Sequence, residues 1–174
     1  MARGGSAPGG MGGPKVGDVL LYPYLWSRQH GDGETEGRKD RPTAVALRIA
    51  RSASGASAAS AAGSTSEGEG RATPQAHTAS QTLLVLLAIS SQPPQADQHA
   101  IEVPQTELRR SGLDPSRRAW VYVSEYNTDV LEASFYLDPG AEPIGRLSRA
   151  FVGQIAAALA ETIRAKKGRV DRTV

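Results

Sequence analysis

The chain of 174 residues has no cysteine and only three histidines, His30, His77 and His99. The absence of cysteine excludes disulfides and thiolate metal sites. The histidines are far apart, and no group of His, Asp and Glu has the spacing of metal ligands. These features argue against a zinc site, and no cofactor is predicted.

Long hydrophobic runs are also missing. The longest, residues 83–89, has seven apolar residues, far fewer than the roughly 20 that a membrane-spanning helix needs. The first fifteen residues are mostly Gly, Pro and Ala and lack the apolar centre of a secretory signal. These features favour a cytoplasmic protein that has no contact with membranes.

Two segments lack the side chains that build a core. Residues 1–15 are rich in Gly and Pro, and residues 51–81 contain no Val, Leu, Ile, Met or aromatic residue. Such segments bury too little apolar surface to offset the entropy lost on ordering. We therefore predict a disordered tail over 1–15, one domain over 16–166 with a flexible insertion at about 51–81, and a basic tail over 167–174.

The basic residues are concentrated at the ends. Residues 1–15 carry a formal charge of +2 and residues 164–174 carry +4, which leaves −4 on residues 16–163 of a chain with a total of +2. A broad basic face for nucleic acid is therefore not expected on the domain, and any such site must be local.

The residues outside these two segments show mainly the hydrophobic patterns of β-strands. Strands are predicted at 16–25 (interrupted by Pro23), 43–49, 82–90, 100–103 and 119–123, with a helical turn at 107–112. A terminal helix is predicted after Ser148 as N-cap, with an apolar stripe of Phe151, Ile155, Leu159 and Ile163. Short strands and one terminal helix indicate a small barrel that the helix seals.

Five motifs occur in a fixed order: "GDVLLYPYL", "GETEGRKDRPTAVAL", "LLVLLAISS", "HAIEV" and "AWVYVSEYNT", followed by the amphipathic helix. In this order they resemble the MazF/PemK family of growth-inhibitor toxins. The resemblance covers residues 16 to about 165 apart from the insertion. It implies an SH3-like barrel and a metal-independent endoribonuclease that cleaves single-stranded RNA, including mRNA, through a 2′,3′-cyclic phosphate. It also implies a homodimer and an antitoxin peptide as partner.

The resemblance carries over residue by residue. Arg41 lies at the family's catalytic arginine before proline, and Ser90 at a position usually held by threonine. Ser91 follows Ser90, and Glu36 matches the acidic residue upstream of the arginine. A guanidinium suits this role because its planar donors match phosphate oxygens, whereas its high pKa makes it a poor base. The general base stays open, with His99 as one candidate.

Each candidate also has a structural explanation. Arg41 could form a surface ion pair with Asp40 or Glu36 instead of binding phosphate. Trp26 and Arg28 lie in the first long loop, where they could hold an RNA strand, but Trp26 could equally cover the end of the barrel.

One stretch departs from the family pattern. Many members have Gln-x-Arg-Thr after the last strand, whereas this chain has "EYNT" at 125–128. The loss of a cation predicts weaker RNA binding, which Tyr126 could offset by stacking on a base while Asn127 takes the place of the arginine. A non-catalytic barrel that binds nucleic acid or protein is therefore the alternative function.

Deletion of residues 52–80, with a short Gly-containing turn in their place, should leave the fold intact because the entropy of loop closure changes only slowly with loop length. Thermal unfolding followed by circular dichroism tests this. A deletion variant that no longer melts cooperatively would contradict the prediction.

Overall fold

A computed structural model describes residues 13–35, 37–51 and 81–172. Most of the predicted tail at 1–15 and nearly all of the insertion at 51–81 lie outside these ranges, as does Glu36. Among the described residues, no helix is both long enough and apolar enough to cross a membrane.

The described chain is mainly β, with a few helices. Its strands are β1 (Asp18–Tyr22), β2 (Arg41–Arg51), β3 (Gln81–Ser90), β4 (Ala100–Glu102), β5 (Trp120–Tyr122), β6 (Tyr126–Val130), β7 (Gly145–Arg146) and β8 (Arg169–Asp171). Its helices are α1 (Ser27–Gly31), α2 (Gln105–Arg110) and α3 (Arg149–Arg164). All five predicted strand regions contain a strand, and the helices predicted at 107–112 and after Ser148 are α2 and α3.

The strands form one curled, half-barrel sheet in the order β4-β5-β3-β2-β1-β7; β6 branches from β3, and β8 pairs with β6. All pairs are antiparallel except β6 with β8, which is parallel. Along one side β3 pairs with β2. On its other side β6 pairs with residues 83–86, and β5 pairs with Ile89 and Ser90. The sheet therefore forks at β3.

The two faces of β2 and β3 bury separate cores. One face packs under α3, where Phe151, Ile155 and Leu159 are at most 4% exposed. The other face holds Leu84 and Leu86 within a cluster that contains most of the buried aromatic rings. Because successive strand residues point to opposite faces, the nearly continuous apolar sequence of β3 serves both cores.

Helix α3 begins as its sequence predicts. The backbone N–H of Phe151 donates to Ser148 Oγ at 3.2 Å, which satisfies one of the free donors of the first turn. Leu147 is buried, and Val152 packs against the core beside it. The apolar stripe is less deeply buried at the end of the helix, where Ile163 is 37% exposed.

Strand β6 is the main element that the hydrophobic pattern misses. Its sequence YNTDV is mostly polar, yet all five residues are buried. The polar groups are satisfied internally: Thr128 Oγ1 donates to Asp171 at 3.2 Å, and Asp129 accepts from the hydroxyls of Tyr22 at 2.8 Å and Ser134 at 2.7 Å. Burial and the charge of Asp129 raise the pKa of Tyr22, so its hydroxyl stays protonated and donates.

The predicted tail at 167–174 is wrong for residues 169–171. They form β8, and Val170 within it is 1% exposed. Gly168, with φ of +68°, makes the turn into β8. Beyond the strand, the guanidinium of Arg172 lies 4.7 Å from the centre of the Tyr136 ring and donates to the carbonyl of Thr35. The sequence did not indicate this strand, because Val170 is its only apolar residue and charged residues lie on both sides of it.

Candidate functional site

Arg41 and Ser90 lie at neighbouring strand ends. Strand β2 begins at Arg41, β3 ends at Ser90, and the last pair between the two strands joins Thr43 to Ala88. Arg41 and Ser90 each lie two residues beyond that pair, so they share its face of the sheet. Two grooves meet here, and both residues line both grooves. The structure therefore brings the two predicted catalytic residues together.

The Arg41 side chain is held by an aromatic ring. Its guanidinium lies 5.6 Å from the centre of the Trp26 ring, within the range of a cation–π interaction. Trp26 is itself 9% exposed and packs edge-on against Tyr24 at 5.2 Å and Tyr122 at 5.1 Å. Within the described ranges Arg41 forms no ion pair, and Glu36 lies outside them. Trp26 therefore covers the core and positions the arginine as well.

Ser90 has a hydroxyl that is ready to donate. The residue is 7% exposed, and its Oγ accepts the backbone N–H of Gln92 at 3.2 Å. The Tyr122 hydroxyl donates to the carbonyl of Gln92 at 2.9 Å, which fixes the same turn from the other side. Because the bond to Gln92 uses only a lone pair of Oγ, the hydroxyl hydrogen is left for a group in the groove.

The first groove, which we call the aromatic groove, has a volume of about 590 Å³. Besides Arg41 and Ser90, its lining includes Trp26, Ser27, Arg28, Asp97, Tyr122 and Glu125. Its two arginines face two carboxylates, so the groove has no excess of positive charge. A neutral planar group suits such a lining better than a phosphate does.

The second groove, which we call the basic groove, has a volume of about 470 Å³. It is lined by Lys39, Asp40, Ser91, Asp114, Arg117 and Arg118 together with Arg41 and Ser90. Four cations here outnumber two carboxylates, although Glu102 forms a bidentate ion pair with Arg118 at 2.7 and 2.9 Å. Hydrogen bonds from Ser116 lower the pKa of Asp114, which stays charged. The excess of cations favours an anionic ligand.

Arg117 and Arg118 were not among the predicted site residues. The two arginines directly precede the predicted strand at 119–123, and this position is the sequence feature that could have marked them as site residues. On a domain with a negative formal charge, only the tertiary structure shows that the pair joins Lys39 and Arg41 in one groove.

Glu125 is half-buried and lines the aromatic groove. Its Oε2 accepts the backbone N–H of Ser27 at 3.0 Å, and its Oε1 is buried without a hydrogen-bond partner among the described residues. Burial and, secondarily, the charge of Glu125 raise the pKa values of Tyr24 and Tyr122. Both phenols therefore stay protonated beside the carboxylate.

Two of the predicted RNA contacts are wrong. Tyr126 is 7% exposed and belongs to the core under α3, so its ring has no face for a base. Asn127 is fully buried; its Oδ1 accepts from the N–H of Leu25 at 3.0 Å, and its Nδ2 donates to the same residue's carbonyl at 2.8 Å. This amide holds the segment that leads into Trp26 and does not face either groove.

The other candidates differ in position. Arg28 is exposed on α1 and lines the aromatic groove, and exposed Ser91 lines the basic groove. His99, the candidate base, is exposed, and it is not among the described residues that line either groove. In the part of the chain that the structure describes, no three His, Cys, Asp or Glu residues are grouped as metal ligands.

Comparison of the chain with protein-family models, with curated proteins and with solved structures finds no match. The assignment of a function therefore depends on the geometry of the two grooves and on the residues that line them.

Replacing Asn127 with leucine should destabilise the fold, since it leaves the N–H and the carbonyl of Leu25 buried without partners, at a cost of about 2–4 kcal/mol. Asn127→Asp keeps the acceptor but loses the donor and places a buried carboxylate against the carbonyl of Leu25, so it should be destabilised as well. Urea denaturation measures both variants. A leucine variant that unfolds like the wild type but binds RNA more weakly would show that Asn127 faces the ligand after all.

Proposed function

We propose that this protein is a metal-independent endoribonuclease with the SH3-like barrel of the MazF/PemK toxins, acting on single-stranded RNA such as mRNA in the cytoplasm. The observation that carries the proposal is the position of Arg41 and Ser90, side by side where two grooves of different charge meet. A strand that runs through both grooves would pass its phosphate over this pair.

The proposed reaction is cyclisation. The ribose 2′-oxygen attacks phosphorus, a P–O bond forms, and the bond to the 5′-oxygen of the next nucleotide breaks. The products are a 2′,3′-cyclic phosphate and a 5′-hydroxyl. Negative charge grows on the non-bridging oxygens in the transition state, and preformed donors aimed at that charge stabilise it.

Arg41 and Ser90 supply such donors. The guanidinium offers two parallel N–H groups to phosphate oxygens, and its position over Trp26 reduces the freedom it loses on binding. The Ser90 hydroxyl adds a third donor. Its oxygen accepts the N–H of Gln92, and its hydrogen is not used in that bond. The attacking 2′-oxygen loses its proton, and the departing 5′-oxygen takes up a proton to become the 5′-hydroxyl.

The charges of the two grooves suggest how RNA would lie. Phosphates on one side of the cleaved bond would follow Lys39, Arg41 and Arg117 in the basic groove. On the other side, a base would enter the aromatic groove beside Trp26 and Tyr122.

A second candidate function is a barrel that binds single-stranded nucleic acid or a peptide without cleaving it. The carboxylates of Asp97 and Glu125 in the aromatic groove favour it, because they weaken the attraction for a polyanion. If growth inhibition is the biological role, an antitoxin peptide lying across the two grooves would block both at once.

Loss of either donor should slow cleavage by about a hundredfold or more, as the removal of a preorganised donor in other enzymes does. We expect Arg41→Lys to fail nearly as badly as Arg41→Ala, because an ammonium does not replace a planar fork. Ser90→Ala should also fail, whereas Ser90→Thr should match the wild type. The double variant should lose less than the sum, since both groups act on one charge.

The assay is cleavage of single-stranded RNA in the presence of EDTA, scored by cyclic phosphate ends. Arg109→Ala is the matched control, because this exposed arginine on α2 contacts Gln105 outside both grooves. Unchanged cleavage by Arg41→Ala would reject the site. If the wild type cleaves none of a varied set of RNAs, the binding function is favoured.

We also expect a homodimer. Strands β4 and β7 each have one partner strand among the described residues, and exposed edges of this kind are usually covered. Phe135 and Leu21 are 87% and 57% exposed, which adds apolar surface for a partner. Light scattering at micromolar concentration should give twice the mass of the chain. The mass of a monomer would contradict the expectation.

A further inference from the structure

Only one of the two oxygens of the Glu125 carboxylate has a hydrogen-bond partner among the described residues. Oε2 binds the N–H of Ser27, while Oε1 is buried and has no partner among the described residues. A buried acceptor without a partner costs free energy that an N–H donor from a ligand would recover. The terminal torsion of glutamate is broad, so a small rotation presents Oε1 to the groove that the residue lines.

The surroundings of Glu125 indicate which ligand could supply that donor. The groove is large enough for a nucleotide at about 590 Å³, and the rings of Trp26 and Tyr122 line it. A phosphate is disfavoured here, because Glu125 and Asp97 would repel it and the cations lie mainly in the neighbouring groove. A neutral ring that carries an exocyclic amino group meets both conditions.

We propose that Glu125 selects, in the aromatic groove, a nucleobase with an exocyclic amino group and discriminates against uracil; this inference rests on the proposed binding of RNA. An amino group on cytosine or adenine donates to Oε1. Uracil has a carbonyl oxygen at the equivalent position of cytosine, and its lone pairs face those of the carboxylate. Carboxylates accept from the amino group of cytosine in this manner in other complexes.

A purely structural role for Glu125 is the competing explanation, since its Oε2 anchors the start of α1. The variant Glu125→Gln separates the two. Glutamine keeps an oxygen for the N–H of Ser27 and presents an NH₂ group where Oε1 was, so the anchor remains and the free position changes from acceptor to donor.

The experiment compares the affinity of the full chain for uncleavable 2′-O-methyl oligonucleotides of about eight cytosines or eight uracils, measured by fluorescence polarisation. We expect the wild type to bind oligo(C) roughly tenfold or more tightly than oligo(U), the discrimination typical of one good base contact. Glu125→Gln should erase or reverse this ratio. Equal binding of the two oligonucleotides by the wild type, or binding of neither, would overturn the inference.

Two controls keep the result interpretable. Glu161→Gln makes the same change of charge on α3, where Glu161 pairs with Arg164, and should leave the ratio unchanged. Oligonucleotides of N4,N4-dimethylcytosine remove the donor from the ligand, and the wild type should bind them no better than oligo(U). This second measurement needs no variant, so the inference stays testable if Glu125→Gln does not fold. Retention of the preference for the dimethylated base would overturn it.

Cleavage of unmodified RNA by the same preparation is scored separately. Selective binding without cleavage would leave the selection of the base standing and reject the nuclease activity. Cleavage with no preference between cytosine and uracil would support the nuclease and reject the role of Glu125.

Discussion

The register between β2 and β3 is the constraint on which the site depends. Their pairing, which runs from Thr43 with Ala88 to Arg51 with Gln81, determines that Arg41 and Ser90 end on the same face. A slip by one residue would turn one strand's side chains to the opposite face, and the pair would separate. Two cores oppose such a slip, because β3 buries apolar side chains on both of its faces.

The fork of the sheet at β3 explains where the grooves lie. Since β6 pairs with residues 83–86 of β3 and β5 with Ile89 and Ser90, the chain between β5 and β6 passes β3 beside residues 87–88, close to its end. Glu125 lies in that connection, and Asn127 follows it in β6 and holds Leu25 through both atoms of its amide. The same polar strand that completes the fold therefore supports Trp26, over whose ring Arg41 lies.

The two grooves differ in charge although they share Arg41 and Ser90. Cations exceed carboxylates in the basic groove, whereas the aromatic groove has equal numbers of both. This asymmetry gives a single strand a direction: phosphates are favoured on one side of the shared pair and a base on the other. Local charge thus matters more than the formal charge of the domain.

The sequence by itself determined the mainly β class, the five strands with clear hydrophobic patterns and the capped terminal helix, because periodicity and capping are local properties. Only the tertiary structure decided the burial of β6 and the pairing of β8 with it, because Thr128 and Asp129 of β6 find hydrogen-bond partners far away in the chain. The same holds for Asn127 and Tyr126, which are interior residues, and for Glu125, Arg117 and Arg118, which line the grooves. Burial of a polar side chain depends on partners that are distant in sequence, and no local pattern contains that information.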